Sequence, residues 1–291
     1  VVGTTMQPEV ALIQDWENEW ALREGARVYL GENIKYRQEM NAHYRPFWQA
    51  GVPVDVVDQT AELDAYKLVV VPMAYMLRPG FAARLKAYVE NGGTAVMTYW
   101  SAVVDESDLC HLGGIPGDGL RELFGVWEEE SQSYLPGESV GIAMAKDNAL
   151  GISGPYTAVD TCSVIHAEGS TVLASYASEY VEGQPALTVK THGKGKAYYI
   201  AARTDGAFLN DFYAALARDE GLACCLAADI PEGVSVQTRS DGDRDYIFVM
   251  NFNREAKSIE LGSPYVDVLT DQAVGATVTL ERYGVMVLRK P

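Results

Sequence analysis

The sequence predicts an open, flavodoxin-like α/β sheet followed by a small antiparallel β domain. In the first hundred residues, short apolar runs alternate with segments whose apolar residues recur every three or four positions. This alternation is typical of a parallel sheet with crossover helices on both faces. After residue 228, five or six short β-type runs follow one another without a helical segment, which indicates a separate antiparallel β domain.

Four apolar runs predict the parallel strands, because strands buried on both faces of a sheet are almost continuously apolar. The runs are Val10–Ile13, Pro53–Val57, Lys67–Pro72 and Thr94–Trp100. The 3.6-residue pattern from Ile34 to Ala50 predicts one helix, which Gly51 and Pro53 terminate. A second predicted helix begins at Pro79 and ends at Asn91-Gly92-Gly93.

The second half of the sequence is richer in β-type segments. A long loop bearing glycine and proline spans Ser101–Gly125, and loops of this length are usually functional or interfacial. β-rich segments and a last helix follow at Gly141–Met144, Ser163–Val181, Ala186–Ala202 and Ala207–Glu220, with a hairpin turn at His192–Gly195. A composition change near Asp229-Ile-Pro231 places the expected boundary between domains 1–228 and 229–291.

Composition excludes several functional classes. The net charge of −17 repels phosphate backbones and anionic surfaces, so neither a nucleic acid nor a membrane is an expected partner. The four cysteines lack CxxC spacing, and the adjacent pair Cys110-His111 is poorly arranged to chelate, so we expect no metal, no disulfide framework and a reduced, cytoplasmic chain. The first residues, Val1–Thr5, lack an initiator methionine and a signal-peptide pattern, and we expect the chain to be part of a longer enzyme.

In an open sheet, the functional site lies beyond the carboxyl ends of the parallel strands. The turn after the first strand contains Trp16 and Glu17 and is bulky and acidic, so it is unsuited to the phosphate of a nucleotide or flavin, and no cofactor is expected. The tryptophans at these strand ends could stack on sugar rings, but packing against another domain is the preferred interpretation.

The turn after the fourth strand contains Trp100 and Ser101, a position at which some α/β enzymes carry a nucleophile. No glycine flanks Ser101, and sequence alone brings none of His43, His111, His166 and His192 beside it. We therefore expect a turn that has lost catalytic function. The run Glu128–Glu130 is interpreted as a solvated patch rather than a carboxylate pair.

Several segments together resemble the C-terminal half of family 42 glycoside hydrolases, the bacterial β-galactosidases. The similar segments are 10–22, 92–101, 104–106, 111–116, 120–125, 193–200 with Arg203, and 246–252. Two positions depart from the expected pattern: Ala102 stands where a glycine is expected, and Leu109-Cys110 replaces more polar residues.

The resemblance implies a three-part enzyme: a (β/α)8 barrel holding two catalytic glutamates, a trimerisation domain similar to class I glutamine amidotransferases, and a small β domain. It places the barrel and its retaining mechanism upstream of Val1, with no catalytic residue carried over onto this chain, and makes the barrel and other copies of the enzyme (a homotrimer) its partners. The binding candidates at the strand ends are Trp16, Glu17, Trp100, Ser101 and Arg203. Two alternatives remain open: an amidotransferase-like hydrolase that uses Ser101, and a carbohydrate-binding module in the C-terminal β domain.

Overall fold

A computed structural model describes residues 2–25 and 35–291 of the chain. Its helices are α1 (Trp16–Glu24), α2 (Tyr36–Gln49), α3 (Phe81–Glu90), α4 (Leu120–Phe124) and α5 (Gly206–Asp219). Its strands are β1 (Val10–Ile13), β2 (Val54–Val57), β3 (Leu68–Val71), β4 (Thr94–Thr98), β5 (Val126–Ser133), β6 (Ser139–Met144), β7 (Tyr156–Ala167), β8 (Thr171–Tyr176), β9 (Pro185–His192), β10 (Gly195–Ile200), β11 (Ala202–Thr204), β12 (Val234–Ser240), β13 (Asp245–Asn251), β14 (Lys257–Glu260), β15 (Tyr265–Asp267), β16 (Gln272–Val274), β17 (Thr277–Leu280) and β18 (Val285–Arg289).

The chain divides into two compact units. The larger unit comprises Ala11–His43 and Val56–Glu220, and the smaller unit comprises Val1–Val10, Tyr44–Asp55 and Gly221–Pro291. The predicted start of the first helix, Ile34, lies outside the described residues.

The larger unit is built on a mixed sheet in which the described strands have the order β11-β7-β6-β8-β9-β10-β4-β3-β1-β2, with β5 pairing to β7. Strand β4 runs parallel to both β3 and β10. From β10 outwards the pairs β10–β9, β9–β8, β8–β6, β6–β7 and β7–β11 are antiparallel. The sequence predicted the parallel β3–β4 pair but placed β10 only in a hairpin. The structure adds β10 to the parallel part and extends the same sheet with the other β-rich segments of the second half.

The core of the larger unit forms around the parallel strands. All four residues of β3 are completely buried, and Val69 and Val71 belong to one core cluster with Phe81, Leu85 and Val89 of α3. Each such side chain contributes about 1.5–3 kcal/mol on burial, which explains why these runs are apolar on both faces.

The predicted hairpin at His192–Gly195 is confirmed, since Gly195 pairs with His192 in the β9–β10 register. Its glycines have a packing role as well as a turn role. A methyl group at Gly195 would overlap the carbonyl oxygens of Gly93 and Val89, so only glycine lets the hairpin approach the end of α3 so closely.

Three elements differ from the sequence prediction. The acidic turn after β1 is the first turn of helix α1, because the Asp15 carboxylate caps it by accepting the N–H groups of Glu17 (2.9 Å) and Asn18 (3.4 Å). The long loop ends in the short helix α4. Strand β5 includes the glutamate run that was expected to be a solvated patch.

The smaller unit contains the predicted antiparallel β domain. A sheet in the order β12-β13-β18-β15-β16 accompanies the β14–β17 pair. Its core is apolar, formed by Leu226, Val234, Val236, Ile247, Val249, Ile259, Leu261, Tyr265, Val278, Leu280 and Leu288. Alternating burial along β13 and β17 reflects a sheet with one covered face.

Candidate functional site

The carboxyl ends of β1, β3 and β4 lie in the larger unit and carry most of the residues singled out from the sequence. Trp16 begins α1 with 55% of its surface exposed, and the Arg37 guanidinium lies 5.4 Å from its ring centroid. The Glu17 carboxylate is 3.3 Å from the Arg78 guanidinium, which also binds the buried Asp15 at 2.7 Å. The first strand end is therefore an ion-paired helix cap with an exposed indole beside it.

The turn after β4 has the backbone strain of a nucleophile turn, but the strained residue is Trp100. Trp100 and Ala102 both have φ of 56°, in the left-handed region that non-glycine residues rarely occupy. The Trp100 ring stacks on Tyr75 with centroids 6.0 Å apart. In a nucleophile turn the residue in this conformation carries the reactive group, and here that residue is a tryptophan, whose indole is not a nucleophile. The left-handed φ at Ala102 also explains why glycine is expected there.

Ser101 is completely buried in this turn. Its hydroxyl oxygen accepts the backbone N–H of Ala74 at 3.1 Å, which ties the end of β4 to the residues that follow β3. A nucleophilic serine needs an exposed hydroxyl beside a general base. The geometry of Ser101 suits a structural hydrogen bond instead.

Each of the four histidines has a different setting. His43 is buried between Tyr213 and Glu39, and His166 is 2.6 Å from Glu129. The His111 backbone N–H donates to Val103, and His192 ends β9. In the described ranges, 2–25 and 35–291, none of these imidazoles hydrogen-bonds Ser101, so the structure does not form a Ser–His pair.

Arg203, on β11, is the centre of a buried ion network. Its Nε donates to Glu39 at 3.0 Å and its Nη1 to Asp160 at 3.2 Å. Lys35 lies 2.9 Å from the same Asp160 oxygen, and the Arg203 guanidinium is 5.9 Å from the Tyr99 ring centroid. Arg203 is only 6% exposed, and its guanidinium is occupied by these contacts within the protein.

The network determines the protonation of its acids. Burial works to raise the pKa of Glu39, but the hydrogen bond and charge of His43 and the charge of Arg203 outweigh it, so the pKa is lowered. Asp160 behaves likewise: burial is opposed by hydrogen bonds from Lys35 and Arg203, and the pKa is lowered. Both groups stay ionised and paired, whereas a glycosidase acid needs a raised pKa and a second carboxylate at a defined distance.

Glu128 is the residue that the sequence interpretation missed. It is only 6% exposed, and its carboxyl accepts hydrogen bonds from Ser131 (2.6 Å), Ser163 (2.8 Å) and Tyr199 (2.9 Å). Burial raises its pKa despite these bonds. The signal was its position two residues after Val126, since alternate residues of a strand share a face and Val126 is fully buried.

The described part of the chain has no cluster of three or more histidine, cysteine, aspartate or glutamate side chains arranged to hold a metal ion. Among the same residues, no helix combines the length and apolar character that a membrane crossing requires.

Comparison with known proteins identifies both units. The model of the β-galactosidase trimerisation domain matches residues 8–223, and that of the β-galactosidase C-terminal domain matches residues 233–290. β-Galactosidase BglY of Alicyclobacillus acidocaldarius is 45% identical over 292 residues, and Pbg of Clostridium perfringens is 41% identical over 293 residues. Each alignment covers 100% of this chain and 42% of the relative.

Solved structures agree with these matches. The β-galactosidase from Rahnella sp. R3 has a TM-score of 0.92 at 38% identity, covering 99% of this chain and 41% of that protein. The β-galactosidase from Bacillus circulans sp. alkalophilus also has a TM-score of 0.92, at 36% identity, and the match covers 99% and 42% of the two chains. This chain therefore spans about 42% of the length of the curated relatives that it matches. The chain belongs to the family 42 glycoside hydrolases, the β-galactosidases, and corresponds to their trimerisation and C-terminal domains.

Proposed function

We propose that this chain is the non-catalytic, assembly portion of a β-galactosidase, and that a retaining two-glutamate mechanism operates in an upstream barrel. The observation that carries the proposal is the arrangement of side chains around the carboxyl ends of β1, β3 and β4, which we call the strand-end edge. Its strained turn presents Trp100, its hydroxyl at Ser101 is buried, and its acids Glu39 and Asp160 are neutralised by Arg203. The five candidates Trp16, Glu17, Trp100, Ser101 and Arg203 then serve packing and assembly rather than substrate binding.

The assembly role is a homotrimer in which this region contacts other copies and the barrel. The description of the family model that matches residues 8–223 supports it, as do two indoles on the outer face of α1, Trp16 and Trp20, which are 55% and 58% exposed. Exposed aromatic residues of this size usually mark an interaction surface.

Light scattering on the full-length polypeptide tests this role. We expect a trimer, and we expect Trp16→Ser with Trp20→Ser to shift the mass towards monomer. The matched control is Tyr180→Ser, another exposed aromatic of the larger unit, which should leave the mass unchanged. A full-length protein that is monomeric at every concentration would refute the assembly role.

The remaining parts of the proposal concern organisation. A flavodoxin-like assignment of the larger unit is supported by the parallel strands β3, β4 and β10, and the boundary between domains is proposed near Asp229–Pro231. A cytoplasmic location is supported by the free state of Cys110, Cys162, Cys224 and Cys225, as in reducing compartments.

Exposed aromatic residues favour a second candidate function, carbohydrate binding by the smaller unit. Phe252 and Tyr283 are 60% and 53% exposed, and Arg282 lies 5.6 Å from the Tyr283 ring centroid. Calorimetry with galactosides tests this: heat of binding that Phe252→Ala and Tyr283→Ala abolish supports the module, and no heat removes it. The amidotransferase-like alternative predicts that a fluorophosphonate labels Ser101, and we expect no labelling because that hydroxyl is buried.

A further inference from the structure

Two adjacent cysteines of the smaller unit, Cys224 and Cys225, line the same open cavity. Its volume is about 700 Å³, and its wall includes Leu226, Ile247 and Tyr265 as well as polar groups from Thr238 and Lys290. All of the residues that line the cavity belong to the smaller unit, whereas Trp16, Ser101 and Arg203 belong to the larger unit. Neither the proposed assembly role nor the family assignment gives it a use.

The structure holds the two thiols in different settings. Cys224 is exposed, whereas Cys225 is half-buried, and its backbone is fixed by an N–H donated to the Gly51 carbonyl at 2.8 Å. Thr238 donates its hydroxyl to the Cys225 carbonyl at 3.4 Å. Burial raises the pKa of the Cys225 thiol, and hydrogen bonding with Thr238 partly offsets this rise. The two cysteines are consecutive residues, and both line the same cavity.

The local geometry disfavours two common uses of paired cysteines. Neighbouring residues across a trans peptide bond have Cα atoms about 3.8 Å apart, below the roughly 4.4–6.8 Å that disulfides normally span, so a direct S–S bond would be strained. A tetrahedral metal site needs four ligands, and the described residues supply no group of even three suitable side chains. The pair suits a ligand that takes two sulfurs and bridges them with one inserted atom.

We propose that Cys224 and Cys225 form a dithiol site for trivalent organoarsenicals. In the reaction with an arsonous acid, RAs(OH)₂, each sulfur forms an As–S bond while one As–O bond breaks. Each leaving hydroxyl takes a thiol proton and departs as water, so two water molecules are released. Arsenic remains trivalent, and no oxidant or reductant is required. The organic substituent enters the cavity beside Leu226, Ile247 and Tyr265.

Phenylarsine oxide, added to the intact chain and followed by native mass spectrometry, tests the site. We expect one phenylarsenic group per chain, bound with loss of one water because the oxide carries one oxygen, and a rise in the Tm of the smaller unit on binding. Cys224→Ser and Cys225→Ser should each abolish the adduct. Removal by an added dithiol, but not by an equal concentration of a monothiol, would confirm two-sulfur attachment.

The chain supplies its own control. Cys110 is an exposed single cysteine, and Cys110→Ser should leave the adduct intact. The proposal is overturned if the adduct survives Cys224→Ser or Cys225→Ser, if a monothiol removes it as readily as a dithiol, or if no adduct forms. Because Cys224 is exposed, Cys224→Ser should fold normally, which circular dichroism checks.

Discussion

Two buried glutamates of the larger unit, Glu39 and Glu128, have nearly the same exposure, 4% and 6%, and opposite electrostatic behaviour. Glu39 lies between Arg203 and His43, and its pKa is lowered. Glu128 is held by hydroxyl groups, and its pKa is raised by burial. Burial alone therefore does not determine the charge of a carboxyl group; the charge of its partners does.

The comparison also bears on the proposal that this region is not catalytic. Acid catalysis on a glycoside needs a carboxyl of raised pKa close to a second, ionised carboxylate. Within residues 2–25 and 35–291, the raised pKa belongs to Glu128, whose partners are hydroxyls, while the ionised pair Glu39 and Asp160 is neutralised by Arg203. The carboxyl of raised pKa and the ionised carboxylates therefore belong to different hydrogen-bond networks.

The largest expected effect on stability comes from removing Arg203, the cation that pairs with Glu39. Arg203→Met should cost about 3–5 kcal/mol of unfolding free energy, because it removes the guanidinium that pairs with the buried carboxylate of Glu39. Urea unfolding measures this, and Glu39→Gln added to Arg203→Met should recover part of the loss. Lys86→Met, which removes an exposed ion pair with Glu122, is the control and should cost under about 1 kcal/mol. A loss under about 1 kcal/mol for Arg203→Met would contradict the account.

The second prediction concerns the effect of Glu128 on how stability depends on pH. Because the folded-state pKa of Glu128 is raised, its stabilising contribution is complete below its unfolded pKa and is lost as pH rises through the folded value. Glu128→Gln should therefore become more stable relative to the unsubstituted chain as pH rises from acidic to mildly alkaline.

Glu39→Gln supplies the matched contrast. The lowered pKa of Glu39 contributes stability above the pKa of the unfolded state, and this contribution is lost as pH falls through the pKa of the folded state. Glu39→Gln should therefore become less stable relative to the unsubstituted chain as pH rises. Unfolding free energies measured across the pH range check both signs. Parallel pH dependences for the two variants would disprove the comparison.

A smaller effect is expected at the turn after β4. Ser101→Ala removes the acceptor for the Ala74 N–H and should cost about 1–2 kcal/mol, since it leaves a buried donor unpaired. The proposed function also predicts that galactoside hydrolysis by the full-length polypeptide is unchanged, apart from what the lost stability explains. Loss of hydrolysis in a folded Ser101→Ala protein would assign this serine a chemical role.

The smallest effect is expected at Ala102. The left-handed backbone of Ala102 favours glycine by about 1–2 kcal/mol. Against this, losing the buried methyl group costs about 0.8 kcal/mol, and the greater conformational entropy that glycine loses on folding costs about 0.5–1 kcal/mol. These terms nearly cancel, so Ala102→Gly should change stability by less than about 0.5 kcal/mol. Thermal unfolding measures it; Ala102→Val, which adds a β-branched side chain at the same φ, should be clearly destabilising.

Sequence patterns predicted the elements whose periodicity is local. The apolar runs of β1 and β3 were placed within a residue or two, and the hairpin turn at His192–Gly195 was predicted from its glycines. Helix α1 was missed, although Asp15 followed by acidic residues is a recognisable cap.

The candidate site was less predictable because its properties depend on contacts between distant segments. The buried Ser101 hydroxyl accepts a hydrogen bond from Ala74, and Arg203 donates to Glu39, which is 164 residues away in the sequence. Glu128 was the partial exception, since the alternation that begins at Val126 already placed it on the covered face of β5. The surrounding charges of Glu129 and Glu130 concealed that signal.

A nitrophenyl β-galactoside incubated with the purified chain alone shows whether this chain carries catalytic residues. We expect no release of nitrophenol above the buffer rate, because the strand-end acids are paired and Ser101 is buried. Turnover that persists through repeated purification and is abolished by Ser101→Ala or Glu128→Gln would contradict it, and would show that this chain carries catalytic residues of its own.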